Sequence, residues 1–533
     1  MTVLGGELRA AAELAATVAM YRYLISPCVR WSARGLRAGV SSAAFNGAYP
    51  EKPVSLQRVL VAVLAITPLT IWAGVGFAAA GMKMQVVPAA AVAMVGWKCL
   101  TFDYDVAREV GWQRVDRVAV ALIVVAALFY PPLLFAAVVA LCGRLGGWTH
   151  HSMASLRIIK AAFTWQIVDG TAGLLLTPEP RLSEEGMLVL LGTAFLSHYV
   201  AACKTKIILA GDPWGWIAHN RTDLLIANAY AWGWARWLPR RVMRRIIRLL
   251  SPWVVFLNAG TLALQALGVV AFTSRWCLIA ALLGAVAFNA TVALLSGLLF
   301  WENIGIALTL AVTALQLPAA EPGGFGVVPW LLSIVLFTTA LCGWSWHPTG
   351  LGWWDTPYVS RVYWTARTTS SKSVGIYNNL LSPHDREYGR SLGDPLTSEP
   401  LVTFPMGGVE NAALRDRLMA MGPASGDLQQ IKDTYGWVRW DAAFAKSHID
   451  YLRRFFRSLN AGVPKSPLPP RLRWLKAPGS HLYYWGDLPA YRRETDGPIE
   501  AVQVRHQEIH FQVEAHEWLS LRDELLFEIS VTL

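Results

Sequence analysis

Charge is what this chain has least of. Asp, Glu, Lys and Arg make up 16% of its 533 residues, where a soluble globular protein carries about 25%. Cysteine is sparse as well. The six cysteines (Cys28, Cys99, Cys142, Cys203, Cys277 and Cys342) show no paired spacing, and none follows residue 354. That excludes a disulfide framework and a thiolate metal site. No phosphate-cradling P-loop, dinucleotide glycine signature, G-x-S-x-G elbow or H-E-x-x-H zinc helix occurs, which closes the familiar motif routes to nucleotide binding, serine hydrolysis and zinc proteolysis.

The missing charge leaves long apolar runs. Residues 59–82, 118–143, 186–203, 249–274, 276–301, 303–320 and 322–354 contain no Asp, Glu, Lys or Arg. A membrane span takes about 20 apolar residues, so five of these runs suffice and the two shortest are borderline. Weaker candidates lie at 10–21, 84–97, 161–178 and 224–235. The prediction is an all-α polytopic membrane helix bundle of about eight to ten helices over residues 1–354. Glu7 and Arg9 precede the short run Ala10–Tyr21, and Arg22 follows it at once. This reads as a retained first helix rather than a cleaved signal peptide.

Composition changes at Trp354–Asp355. Beyond it come charged, Pro-rich and alternating segments, long enough for one soluble C-terminal α+β domain over residues 355–533. Residues 408–434 and 440–460 have helical character, the second with Tyr451, Leu452, Phe455 and Phe456 in one apolar stripe. Pro464–Pro470 breaks the chain, residues 500–513 and Leu525–Leu533 read as strands, and Tyr363–Ser373 reads as a connector. This part holds 21 basic and 21 acidic residues, so the net charge of +11 belongs entirely to residues 1–354. A basic excess there points to anionic lipid head groups and a cytoplasmic loop bias, with no nucleic-acid partner. Four crossings from 249 to 354 would return the soluble domain to the cytoplasm.

Pro239 starts a basic amphipathic helix. Arg240, Arg241, Arg244, Arg245 and Arg248 share one face, and Val242, Met243, Ile246, Ile247 and Leu250 the other. Such a helix is expected in the membrane interface, in contact with lipid.

Two short stretches place ionisable groups at membrane depth, where they are costly. Lys204 and Lys206 end an uncharged run and are followed by Trp214 and Trp216. One reading is interfacial: lysines that snorkel beside an aromatic belt. The other is chemical, because a lysine desolvated at the edge of the apolar phase can serve as a base near neutral pH. His150-His151-Ser152 opens a second stretch, whose helix bears Arg157, Lys160, Gln166 and Asp169. His198 precedes Lys206 by eight residues, a little over two helical turns. Asn220-Arg221-Thr222 is formally a glycosylation sequon, but it abuts a membrane segment.

The stretch Tyr199–Ile207, with Trp214 and Trp216, resembles the lysine-bearing segment of the vitamin K-dependent γ-glutamyl carboxylase family. Bacterial relatives of that family share its horizontally transferred transmembrane (HTTM) domain. Lys206 matches the second lysine of the family's pair, and Thr205 replaces the first. His151-Ser152 resembles the family's His-Ser. Ser251-Pro252-Trp253 through Gln265 resembles the segment after the lysine. Phe288-Asn289 to Phe300-Trp301 resembles the Phe-His helix, with Asn289 in place of the histidine. The likeness covers residues 10–345.

It implies Lys206 as catalytic base and His151 as its polar assistant, with Lys204, Trp214, Trp216, His198 and Asn289 lining the substrate site. A reduced quinone or another lipophilic substrate, and a bacterial cytoplasmic membrane, follow from the same resemblance. A water-excluding apolar site would suit the strong base that such chemistry generates. A second function class stays open: a non-catalytic scaffold, or a maturation or immunity factor for a secreted peptide, engaging a peptide or protein partner through residues 355–533.

In the C-terminal part His506, Glu508 and His510 alternate on one strand face. They could ligate a first-row metal, or line the solvated face of a half-buried strand.

Overall fold

The computed structural model describes residues 2–36, 66–74, 85–144, 154–176, 180–233, 238–316, 327–376, 378–381, 394–422, 425–478 and 488–531. Helix α1 (Thr2–Met20) continues through a π-helical turn, Tyr21–Ile25, into α2 (Ser26–Leu36). A short helix α3 covers 66–74. Then come α4 (Val86–Thr101), α5 (Val110–Phe129), α6 (Leu134–Arg144), α7 (Ala154–Leu175) and α8 (Pro180–Ala210). They are followed by α9 (Pro213–His219), α10 (Thr222–Trp232), α11 (Arg240–Leu250), α12 (Val254–Val270), α13 (Arg275–Ser296), α14 (Trp301–Gln316) and α15 (Val327–Leu341). Local chemistry marks several ends. Asp212 caps α9 by accepting the Gly215 N–H, with Pro213 in the first turn. Ser274 caps α13 in the same way through Cys277, and Gly297 ends it in the left-handed conformation.

Helices α7 and α8 form the centre. Every residue of α7 from Ala154 to Gly170 is buried. Among the described residues three helical stretches are long and apolar enough to cross a membrane: Glu184–Ala210, Arg240–Thr273 and Arg275–Ser296. The first is 94% buried in its most apolar window, whereas the other two are only 33% buried. Val255, Phe256, Trp276, Leu283 and Leu294 therefore stand exposed on α12 and α13. Exposed apolar side chains in such number on two neighbouring helices call for an apolar covering.

The apolar runs of the sequence do not convert one for one into such helices. The run 118–143 is divided at Tyr130 by Pro131-Pro132, which ends α5 and starts a 3-10 turn. The run 322–354 leaves the helix at Leu341 and continues as an extended segment. Val86–Thr101, Pro131–Ala140 and Val328–Leu341 are apolar but shorter. Absence of charge measures solubility in the apolar phase, not helix continuity.

The strands are β1 (Trp354–Asp355), β2 (Tyr358–Thr368), β3 (Ser373–Gly375), β4 (Gly408–Val409), β5 (Ile499–Gln512) and β6 (Glu517–Ser530). β1 pairs with β4, and the rest form one antiparallel sheet in the order β3-β2-β5-β6. Helices α16 (Ala412–Ala420), α17 (Ser425–Tyr435) and α18 (Ala442–Asn460) accompany them. The segment read as a connector from Tyr363 is mostly strand: β2 is buried along nearly its whole length. Its Tyr, Val, Trp and Thr residues suit a pleated surface between neighbours. The expected apolar stripe of α18 packs here, Tyr451, Leu452, Phe455 and Phe456 sharing a core with Trp364, Val502 and Val504.

That core does not stop at residue 354. Val106, Ala229, Trp232 and Leu298 belong to it. Polar contacts cross the same seam: Tyr451 Oη donates to Asp105 at 3.0 Å, and Lys465 and Lys476 both pair with Asp103.

Helix α11 buries Met243 and Ile247 against Leu224, Ile226, Tyr230 and Phe511. Arg244 pairs with Glu517, and Arg240 donates to the Trp518 carbonyl at 3.1 Å. Part of the face expected in lipid is thus docked on α10 and on the β5–β6 hairpin; Arg241, Arg245 and Arg248 stay exposed.

His506, Glu508 and His510 do share a face, but it is the buried one, which removes the solvated-face reading. Glu508 Oε1 accepts from Tyr358 Oη at 2.7 Å and from Lys432 Nζ of α17 at 2.6 Å. His506 Nε2 meets Ser360 Oγ at 2.8 Å. Burial holds both imidazoles below their ordinary range. With Glu508 engaged in this way, no group of three His, Cys, Asp or Glu among the described residues could hold a metal ion.

Removing one partner of a buried ion pair strands the other charge. Lys432→Met should therefore destabilise the full chain by about 3–5 kcal/mol. Adding Glu508→Gln should recover much of the loss. Chemical unfolding in detergent measures both, and strict additivity of the two changes would refute the pairing.

Candidate active site around Lys206

Residues 204 to 206 leave α8 in three directions. Successive residues turn about 100° on an α-helix, so Lys204 and Lys206 stand about 200° apart. Lys204 is exposed and donates to the Leu341 carbonyl at the end of α15, at 3.1 Å. It behaves as the interfacial reading expects. Lys206 does not: it is 9% exposed, and its Nζ donates to the Leu351 carbonyl at 2.6 Å. The same ammonium lies 5.3 Å from the ring centre of Trp216, in cation–π range.

The Leu351 carbonyl is present because two glycines admit it. The segment 349–353 crosses α8 so closely that a Cβ on Gly352 would stand 2.8 Å from Thr205 Cγ2 and 3.0 Å from the Lys206 backbone nitrogen. A Cβ on Gly350 would overlap Thr205 Oγ1. Only glycine permits such an approach.

Behind Lys206 runs a buried polar chain. Trp216 Nε1 donates to the Trp353 carbonyl at 3.2 Å, and Trp353 Nε1 donates to Asp355 Oδ1 at 2.9 Å. Asn220 faces Asp355 reciprocally: its Nδ2 donates to Asp355 Oδ2 at 2.9 Å, and the Asp355 N–H donates to Asn220 Oδ1 at 3.0 Å. Asn258 of α12 donates to the carbonyls of Ile217 and Asn220, both at 2.9 Å, and accepts from Thr222. Asp355 is close enough to Lys206 for the two charges to interact. Burial pushes the Asp355 carboxyl up to about 7, against the hydrogen bonds from Asn220 and Trp353 and the pull of Lys206, while Asp223 adds to the rise.

The expected site residues separate into groups. Lys206 and Trp216 share the site, whereas Trp214 is 75% exposed. His198 lies further up α8, where both Arg157 and Lys206 act on it electrostatically, and its Nδ1 has no hydrogen-bond partner. Asn289 reaches in from α13 and donates to Tyr199 Oη at 2.5 Å and to the Ala285 carbonyl at 2.7 Å. His151 lies outside the described residues.

Asp355, Asn220, Asn258, Trp353 and the two strap glycines were not anticipated. Their signal is present in Gly350-Leu351-Gly352-Trp353-Trp354-Asp355, a Gly-x-Gly run opening onto an acid. It is masked by its place at the end of an apolar run. Asn220, formally a sequon residue, is 1% exposed and its amide is committed to Asp355.

Chemically, the site holds an amine and a carboxyl away from water and joins each to fixed donors and acceptors. Such a pair can hold and pass a proton.

Two outcomes are expected. The folded chain binds the Asp355 proton more tightly than the unfolded chain, whose carboxyl keeps the ordinary value of 3.8. Asp355 therefore costs nothing below about pH 4, and its cost grows as pH rises toward 7. Asp355→Asn should flatten that decline, read as Tm against pH; a profile parallel to the parent's would refute it. Gly350→Ala should cost about 1–3 kcal/mol by overpacking. Thr205→Ala should relieve part of that cost in the double variant, and unfolding curves that simply add would contradict the strap contact.

Compared with family models, with curated proteins and with solved structures, the chain matches none.

Proposed function

We propose that the chain is a polytopic membrane enzyme in which Lys206 acts as a base on a quinone or another lipophilic substrate. The reading follows the resemblance to the γ-glutamyl carboxylase family and its HTTM relatives. It places residues 1–354 in the membrane, of bacterial cytoplasmic type, with the C-terminal part on the cytoplasmic side. The observation that carries it is the contrast between Lys204 and Lys206. The first is exposed; the second is enclosed, with a single carbonyl acceptor and the Trp216 ring beside it. A lysine serving only to anchor a helix end has no need of enclosure.

Three further observations support the reading. The apolar faces of α12 and α13 are exposed, as lipid contact requires. Tyr199 and Asn289, both in the resembling stretches, are hydrogen-bonded to each other. Asp355 stands within electrostatic reach of Lys206, so a proton taken by the amine has a second group toward which to move.

The test uses the purified full chain in non-ionic detergent with a reduced naphthoquinone and dissolved oxygen. Oxygen uptake above the protein-free rate is expected, and Lys206→Met should lower it by about 10²–10⁴-fold, the usual worth of a general base. Lys204→Met should leave it nearly unchanged. Uptake that survives Lys206→Met in folded protein, or no uptake by the parent chain, overturns the proposal.

A further inference from the structure

Seven lysines and arginines among the described residues are buried: Lys98, Arg117, Arg157, Lys160, Lys206, Arg361 and Lys432. Five have clear acceptors. Lys98 pairs with Glu302 and Lys432 with Glu508, each at 2.6 Å. Arg117 donates to the carbonyls of Leu100 and Asp103, Arg361 to Gln507, and Lys206 to Leu351. Arg157 and Lys160 differ. Both are 1% exposed in the middle of the helical core, and neither forms an ion pair among the described residues.

The free edge of Arg157 is specific. Its Nη1 makes one long contact, 3.5 Å to the His347 carbonyl, while Nε and Nη2 have no hydrogen-bond partner. Nε and Nη2 are the two donors along one edge of the planar guanidinium, the edge that receives two oxygens of a carboxylate or phosphate in parallel. Lys160 follows one turn later on the same helix face. Its Nζ has only the Ser26 hydroxyl at 3.5 Å and the Tyr21 ring at 4.8 Å. The ionisable side chains that act on Arg157 include the phenols of Tyr21 and Tyr199. His198, with Nδ1 unpartnered, stands close enough to feel its charge. Two positive charges fully withdrawn from water call for a counter-charge that the described residues do not supply.

We propose that Arg157 and Lys160 form a binding site for an oxyanion, a carboxylate or phosphate group, enclosed between α7, α8 and the α1–α2 turn. The Nε–Nη2 edge of Arg157 takes two oxygens and Lys160 takes the remaining charge. The inference is independent of the base assigned to Lys206. The oxyanion is either a free anion or the head group of an anionic lipid, and the experiment distinguishes the two.

The purified full chain in non-ionic detergent is titrated in separate arms with inorganic phosphate, acetate, and mixed micelles of phosphatidylglycerol or of phosphatidylcholine. Thermal unfolding follows binding. A saturable rise in Tm is expected in at least one oxyanion arm and not with phosphatidylcholine. Half-saturation should move at least tenfold upward in Arg157→Gln and in Lys160→Met. It should stay in place in Arg454→Gln, which alters only an exposed side chain of α18. A response to phosphatidylglycerol without one to the free anions assigns the site to a head group; the reverse assigns it to a free anion. Should Arg157→Gln fail to fold, Lys160→Met carries the test. No saturable response in any oxyanion arm, or an unmoved half-saturation in the variants that fold, overturns the proposal.

Discussion

Asn220 and Asp355 hold one another at the point where helix gives way to strand. The carboxylate accepts from the amide of Asn220, and the backbone N–H of Asp355 returns a hydrogen bond to the same side chain. Asn220 sits at the corner between α9 and α10, and Asp355 opens the route into β2. Everything nearby inherits its position from this pair. α10 goes on to meet the sheet through Asn228, which donates to the Thr356 carbonyl at 2.6 Å. In the other direction the chain runs back through Trp353 to Leu351, whose carbonyl is the acceptor for Lys206. A buried side-chain pair of this kind is costly if half made and directional when complete. It therefore specifies one docking of sheet on helices rather than merely favouring contact.

The same logic separates the other buried charges. Lys98–Glu302 joins α4 to α14, and Lys432–Glu508 joins α17 to β5. Pairs like these contribute little net stability compared with apolar packing of the same volume. Their effect is on register, since shifting either helix would strand a charge. Apolar packing supplies the cohesion, and it crosses residue 354 without a break: Trp232 and Leu298 lie in one cluster with Val359 and Phe455. The drop in hydropathy there does not end the core, which both sides share.

Much of the secondary structure was legible in the sequence because it is local. Amphipathic periodicity located α11 and α18, and alternation located β5. The carbon skeleton of a lysine-bearing helix end was equally plain. What escaped depends on partners distant in the chain. β2 reads as a Thr- and Ser-rich connector until β5 covers one edge along Tyr358–Thr368. β6 begins at Glu517, well before the apolar residues that suggested it, since β5 supplies its hydrogen bonds. The shared face of His506, Glu508 and His510 followed from period two, yet its burial is set by α17 and Lys432. Which of Lys204 and Lys206 is enclosed could not be read from spacing, because both end the same apolar run. The choice is made by Gly350 and Gly352, well over a hundred residues away.

Those glycines also bear on the residue between the two lysines. Thr205 turns its hydroxyl back to the Ala201 carbonyl, at 2.9 Å, and presents the rest of its short side chain to the strap. The strap passes so near that even a Cβ on Gly350 would collide with it. A lysine at 205 would have to leave through the same space. The threonine and the two glycines thus fit as a set, and the set delivers the Leu351 carbonyl to Lys206. A backbone carbonyl and the buried Asp355 define the electrostatic surroundings of Lys206.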